Sequence, residues 1–322
     1  MRINSRIAAL RGDRAPQRQA QAEMERACKA WSKAEGVPEI LREFDRYGAG
    51  DDLDTCADLQ RLLTDGPFAT SIVQQLADTL CRAMRENPLG HPPFRIGFDG
   101  TAATILLKRS GRAQLLLQAR EPGSFDYPSV TFSHAERNEI ILSGAGRATI
   151  VRDSGRDEKL AVLCDYNLAL EAGTRCSLDL TREAFFIDRA ETRIVSLRLL
   201  RVAERPQPTR EYARESGRLL HQSAGDLATS HRESMVALLG RMGRADAAPV
   251  LAGLTLQETD ISLRWQALRE CLALDTAEGY AALCRIARDE ADPLSADAGA
   301  LRAQLCEAHP ELIQLEEALC PA

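Results

Sequence analysis

The sequence predicts an α+β multidomain protein: a helical N-terminal segment, an antiparallel β-sandwich in the middle and a C-terminal helical array. Three observations predict it. Apolar residues recur at three- and four-residue spacing from Ala20 to about Glu86, and again from about Ser230 onward. Between Phe94 and about Val202 they gather instead into short runs separated by turn pairs such as Asp99-Gly100 and Ser110-Gly111. Proline-rich breaks, Pro88-Leu89-Gly90-His91-Pro92-Pro93 and Arg205-Pro206-Gln207-Pro208, separate the three textures. The resulting division is a flexible tail over 1–19, a helical segment over 20–91, a β-sandwich over 92–205 and helical repeats over 206–322.

The N-terminal helices come in four pieces. Met24, Ala27, Cys28 and Trp31 lie on one face of the first, which stops before Gly36 and Pro38. Pro38 opens a second piece carrying Ile40, Leu41 and Phe44, closed by Gly48 and Gly50. Asp51 or Asp52 caps a third with Leu53, Cys56, Leu59 and Leu62, and a fourth over Ala69–Met84 carries Ile72, Leu76 and Leu80. The sandwich follows as eleven short runs, among them Leu160–Cys164 and Asn167–Leu170 as separate strands and Ile194–Leu200 as the last. Short strands punctuated by glycine turns favour an antiparallel sandwich over a parallel sheet.

In the C-terminal array, Thr229 or Ser230 starts a helix with Met235, Leu238 and Leu239, and Asp246, Asp260 and Asp275 start the next three. Asp292-Pro293 starts another, and Pro310 restarts the pattern with Leu312, Leu315 and Leu319. Successive helix pairs begin about thirty residues apart, the texture of an α-solenoid.

Composition excludes several function classes. A net charge of −6 and a pI near 5.6 argue against a general nucleic-acid binder. No run of about eighteen apolar residues exists to cross a membrane, and the first residues lack an apolar signal core, which predicts a cytoplasmic protein. The nine cysteines form no C-x-x-C pair and read as reduced thiols, several of them buried. There is no phosphate-binding glycine loop, nucleophile elbow or H-E-x-x-H motif.

The stretch that carries chemistry is Pro128–Arg147. It holds His134, Glu136 and Glu139, and Gly146 lies seven residues beyond Glu139. This resembles the first half of the cupin metal motif, a His-x-His pair followed by Glu and then Gly. His134 falls at the second His, and the first would be Phe132, which cannot ligate. In the second half Gly173 stands for the Gly of Pro-x-Gly and Cys176 takes the place of the ligand His, while Glu171 occupies the proline position. The resemblance implies a cupin-like jelly roll. Its first reading is a sandwich without cofactor, in which Glu139 faces solvent and Cys176 fills core space; Phe125, Tyr127 and Phe132 read as core or, more sharply, as the wall of a ligand pocket. The alternative is a divalent metal, Fe, Mn or Zn, on His134, Glu139 and Cys176.

Asp260, Arg264 and Ala267 resemble the Asp, Arg and Ala positions of HEAT-like repeats, which implies a curved surface for a protein or peptide partner. Together these predict a non-catalytic binding or adaptor protein that holds a protein, peptide or small ligand, as an accessory of a biosynthetic pathway. The alternative is a metal-dependent enzyme of oxygenase or isomerase type acting on a small molecule.

Overall fold

The computed structural model describes residues 12–155, 157 and 159–312. Contacts divide the chain into two units, the first reaching Pro206 and including Arg210–His221, the second comprising Gln207–Thr209 and residues from Gln222 onward.

In the first unit four helices precede the strands: α1 (Ala15–Trp31), α2 (Val37–Ala49), α3 (Ala57–Thr64) and α4 (Gly66–Glu86). The first eleven residues of the expected tail lie outside the described residues, and α1 begins within its remainder, at Ala15, with a proline in its first turn. The expected third helix is split. Leu53–Thr55 forms a 3-10 turn, and Cys56, with φ −115° and ψ 73°, separates it from α3. Asp65 caps α4 by accepting from the Phe68 amide.

The inward faces carry Met24, Trp31, Ile40, Phe44, Tyr47, Leu59, Leu62, Ile72 and Leu76, all buried. They meet Leu115, Leu197, Leu199 and Ile140 from the sheet in one continuous core, so the helices form a layer on the sandwich. Each large apolar side chain buried there contributes roughly 1.5–3 kcal/mol. At the edge of this layer Gly48 of α2 meets the turn at Gly111, where the Arg112 amide donates to the Gly48 carbonyl. A Cβ on Gly48 would overlap the Ser110 carbonyl, which is why glycine stands there.

The strands are β1 (Arg95–Phe98), β2 (Ala102–Ser110), β3 (Ala113–Arg120), β4 (Gly123–Ser124), β5 (Ser129–Phe132), β6 (Ala135–Ser143) and β7 (Gly146–Asp153). They continue as β8 (Leu163–Leu170), β9 (Arg175–Asp179), β10 (Glu183–Ala190), β11 (Ile194–Val202), β12 (Thr209–Ala213) and β13 (Leu219–Ser223). One sheet has the order β1-β2-β3-β11-β6-β9 and faces a second of order β4-β10-β7-β8. Every pairing in these two sheets is antiparallel. The pairs β7–β8, β6–β9, β4–β10 and β3–β11 nest inside one another, the double Greek key of a jelly roll.

A third sheet, β13-β12-β5, packs Val130, Phe132 and Tyr212 against Val151 and Ala184 of the second sheet. Two expectations fall here. Leu160–Cys164 and Asn167–Leu170 were expected as two strands, but β8 runs unbroken through Asp165 and Tyr166, paired along its length with β7. Strand structure also continues past Arg205 to Ser223, because Arg210–Ala213 complete the ladder of β5 beyond the prolines.

The second unit contains α5 (Leu227–Arg241), α6 (Ala248–Thr255), α7 (Ile261–Leu274), α8 (Thr276–Arg288) and α9 (Ser295–Ala308). Asp226, Asp260 and Asp275 cap α5, α7 and α8 through amides of their first turns. The first helix therefore starts earlier than the expected cap at Thr229 or Ser230. Leu251, Leu263, Leu268, Tyr280, Leu283, Ile286 and Ala298 form its core. Arg264, only 7% exposed, donates to the Thr255 carbonyl at 2.7 Å and pairs with Asp292, tying α7 to the segments before and after it. The expected Leu315 and Leu319 lie outside the described residues.

Candidate functional site

Strand alternation divides the larger sheet into two faces. Leu197, Leu199 and Arg201 of β11, with Glu136, Asn138 and Ile140 of β6, look toward the helices. Ser196 and Arg198, with Arg137, Glu139 and Ile141, look into the roll. The inner face carries an ion cluster where a roll is ordinarily filled by apolar side chains.

Its centre is Glu139, whose side chain is 1% exposed. Arg137, two residues earlier on the same strand face, reaches back with Nε and Nη2 to Glu139 Oε2, the Nε bond being 2.7 Å. From β11, the Arg198 Nε donates to Oε2 at 3.2 Å, and the Ser196 hydroxyl donates to Oε1 at 2.5 Å. The network continues sideways: Arg198 Nη2 donates to Gln118 Oε1 at 2.8 Å, and Gln118 Nε2 to Thr104 Oγ1 at 3.3 Å. On the facing sheet the Phe185 ring lies 4.9 Å from the Arg137 guanidinium carbon.

Burial pushes the Glu139 carboxyl up, but the Arg198 and Arg137 guanidiniums and the Ser196 hydroxyl outweigh it and hold it at about 2. Glu139 is therefore a buried carboxylate and not the solvent-facing residue expected from sequence. Its cross-strand neighbour is Cys176, whose thiol is pushed up to about 11 by burial and by the Glu139 charge, so at neutral pH it is a thiol and not a thiolate.

His134 is placed elsewhere. It lies just before β6 and lines, with Glu136, Asn138, Ser177, Asp179 and Arg201, a polar cleft of about 520 Å³. The wall of that cleft is fixed to α2: the Tyr47 hydroxyl donates to Glu136 at 2.5 Å, Arg201 Nε donates to Glu136 at 2.6 Å, and the Arg201 guanidinium lies over the Tyr47 ring. His134, Glu139 and Cys176 thus do not fit a metal ion. Both Glu139 oxygens accept from Arg137, Arg198 and Ser196, and Cys176 holds its proton. Among the described residues no group of three His, Cys, Asp or Glu side chains is arranged to hold a metal ion.

The three aromatic candidates are packing residues. Phe132 is 5% exposed and lies 6.0 Å from the Tyr212 ring, between the second and third sheets. Tyr127 packs its ring, tilted by 43°, 4.6 Å from that of Phe186 and donates its hydroxyl to the Ile187 carbonyl, and Phe125 lies beneath the Arg120 guanidinium. The members of this cluster missed from sequence are Arg137, Arg198, Ser196 and Gln118. The signal was present in Arg198, a charge at an inward position of the run Ile194-Val195-Ser196-Leu197-Arg198-Leu199-Leu200.

No family profile and no curated protein matches the chain. Among solved structures it is similar in fold to a 7S globulin from Momordica charantia, at 14% identity over 37% of this chain and 35% of that one, with a TM-score of 0.29. A cupin superfamily protein from Desulfitobacterium hafniense matches at 14% identity over 33% of this chain and 83% of that one, TM-score 0.25. The capsular polysaccharide assembling protein CapF from Staphylococcus aureus matches at 12% identity over 53% of this chain and 47% of that one, TM-score 0.28. The chain spans about a third of the length of the globulin and about half that of CapF. These neighbours are cupin-fold proteins, and the jelly-roll assignment itself rests on the strand order of this chain.

Proposed function

We propose that this is a non-catalytic binding protein, in which a cupin-like roll holds a ligand and the C-terminal helices form a HEAT-like surface for a protein or peptide partner. The observation that carries the reading is the state of Glu139. At the position where the resemblance expects a metal ligand, the carboxylate is buried and clamped by two arginines and a serine. Such an arrangement leaves no lone pair directed at an open coordination position.

Two features support the partner surface. Arg264 links α7 to both Thr255 and Asp292, joining successive helices as a repeat array requires. Met235 and Leu238 of α5 and Met242 just past its end, three and four residues apart, are each 56–57% exposed.

The test is elemental analysis of protein purified without chelator, repeated after dialysis against iron, manganese and zinc. The expected result is no stoichiometric metal and no change on replacing His134. About one equivalent retained by the wild type and lost in His134→Ala would overturn the reading.

A further inference from the structure

The inner cluster does not balance its charge. Two guanidiniums, Arg137 and Arg198, pair with a single carboxylate, Glu139, and among the described residues neither forms an ion pair with a second one. One positive charge is therefore left over in a part-buried place, where an isolated ion is costly unless it meets a counter-ion. Its location follows from exposure: the Glu139 side chain is 1% exposed, Arg137 10% and Arg198 20%. The surplus thus lies on the Arg198 side.

The topology leaves that side open. The strand that should cover β2 and β3 across the roll, β4, is only Gly123–Ser124 and pairs solely with Arg189 and Ala190 of β10. Leu106, Leu116, Gln118 and Thr104, which continue the inner face outward from Arg198 and Ser196, consequently remain half-buried. Among the described residues, neither Arg137 nor Arg198 uses its Nη1 group in a hydrogen bond.

From this geometry we infer that the open half of the roll is a receptor for a small organic carboxylate. This deepens the binding-protein reading and rests on it. The carboxylate docks on the Nη1 group of Arg198, the part of its guanidinium that Glu139 and Gln118 do not take. The ligand's carbon skeleton lies along Leu106, Leu116 and Phe185, and Gln118 and Thr104 border it with polar groups. Apolar walls beside a cation favour an organic carboxylate over inorganic phosphate.

The test is calorimetric titration of the full chain with succinate, with its uncharged counterpart succinamide, and with inorganic phosphate, at matched ionic strength and pH 7. Succinate is expected to bind and succinamide not. Arg198→Gln is expected to weaken succinate roughly tenfold or more, the scale of a lost charged hydrogen bond. Should Arg198→Gln fail to fold, Gln118→Met, on the half-exposed rim, serves instead and is expected to weaken binding severalfold by releasing the Arg198 fork. Absence of succinate binding, equal binding of succinamide, tighter binding of phosphate, or succinate affinity unchanged in the folded variant would each overturn the carboxylate receptor. The binding-protein reading would survive those results, since it is decided by the metal analysis.

Discussion

Replacing Glu139 by glutamine removes the one negative charge from a cluster that keeps two guanidiniums. A carboxyl held at about 2 instead of its ordinary 4.5 contributes about 3 kcal/mol to folding at neutral pH. Breaking a buried ion cluster by deleting one member costs about 3–5 kcal/mol in general, which agrees. For a unit of this size the melting temperature should fall by roughly 6–12 °C.

Urea denaturation followed by Trp31 fluorescence in a Trp265→Phe background isolates the first unit, because Trp31 is 8% exposed within its core. The carboxyl is depressed in the folded state, so its contribution is complete above about 4.5 and is lost as pH falls toward about 2. Wild type and Glu139→Gln should therefore differ by about 3 kcal/mol at pH 7 and by progressively less as the pH is lowered toward 3. A difference below about 1 kcal/mol at pH 7, the size of an ordinary hydrogen bond, or one that does not shrink with acid, would refute the clamp.

Three further substitutions probe other joints of the fold. Gly48→Ala forces a methyl into the Ser110 carbonyl and should cost about 1–3 kcal/mol, read from the same urea curve, while Ala49→Gly nearby costs less. Tyr47→Phe deletes the hydroxyl that donates to Glu136 at 2.5 Å and should cost about 1 kcal/mol, with Arg201 keeping the carboxylate paired. Arg264→Ala leaves Asp292 without its guanidinium, so the Asp292 carboxyl, held low chiefly by that hydrogen bond, should titrate closer to its ordinary value in carboxyl-carbon NMR. The second unit should lose about 3 kcal/mol, followed by Trp265 fluorescence in a Trp31→Phe background; an unchanged melt would refute the role of Arg264 as a link between helices.

The architecture was legible where periodicity and punctuation agree. Asp99-Gly100 and Ser110-Gly111 mark the β1–β2 and β2–β3 turns, and both glycines adopt positive φ, 96° and 50°. The caps at Asp260 and Asp275 were equally plain. What failed has physical causes. Prolines 206 and 208 read as the end of the sheet, yet the ladder at Arg210–Ala213 needs only backbone groups past them. Asp165 and Tyr166 read as a break, although both are exposed on β8 and cost the strand nothing.

Glu139 was the larger miss. A glutamate at the motif position looks the same in sequence whether a metal or a guanidinium answers it, and Arg198 lies 59 residues away along the chain. Arg137, at i−2 on the same strand face, was the local hint. Of the two readings of Phe125, Tyr127 and Phe132, core or pocket wall, sequence proximity could not choose, because strand and loop geometry gives each its own packing partner: Arg120, Phe186 and Tyr212.

Nitrogen-15 NMR of the arginine side chains reads the Glu139 clamp itself. The Nε–H groups of Arg137 and Arg198 should give two shifted, slowly exchanging signals, each assigned by its disappearance in Arg137→Lys or Arg198→Lys, and both should collapse toward the exposed-arginine position in Glu139→Gln. Signals for Arg137 and Arg198 that already coincide with exposed arginines in the wild type, or that ignore the loss of the Glu139 charge, would mean that Glu139 does not clamp the two guanidiniums.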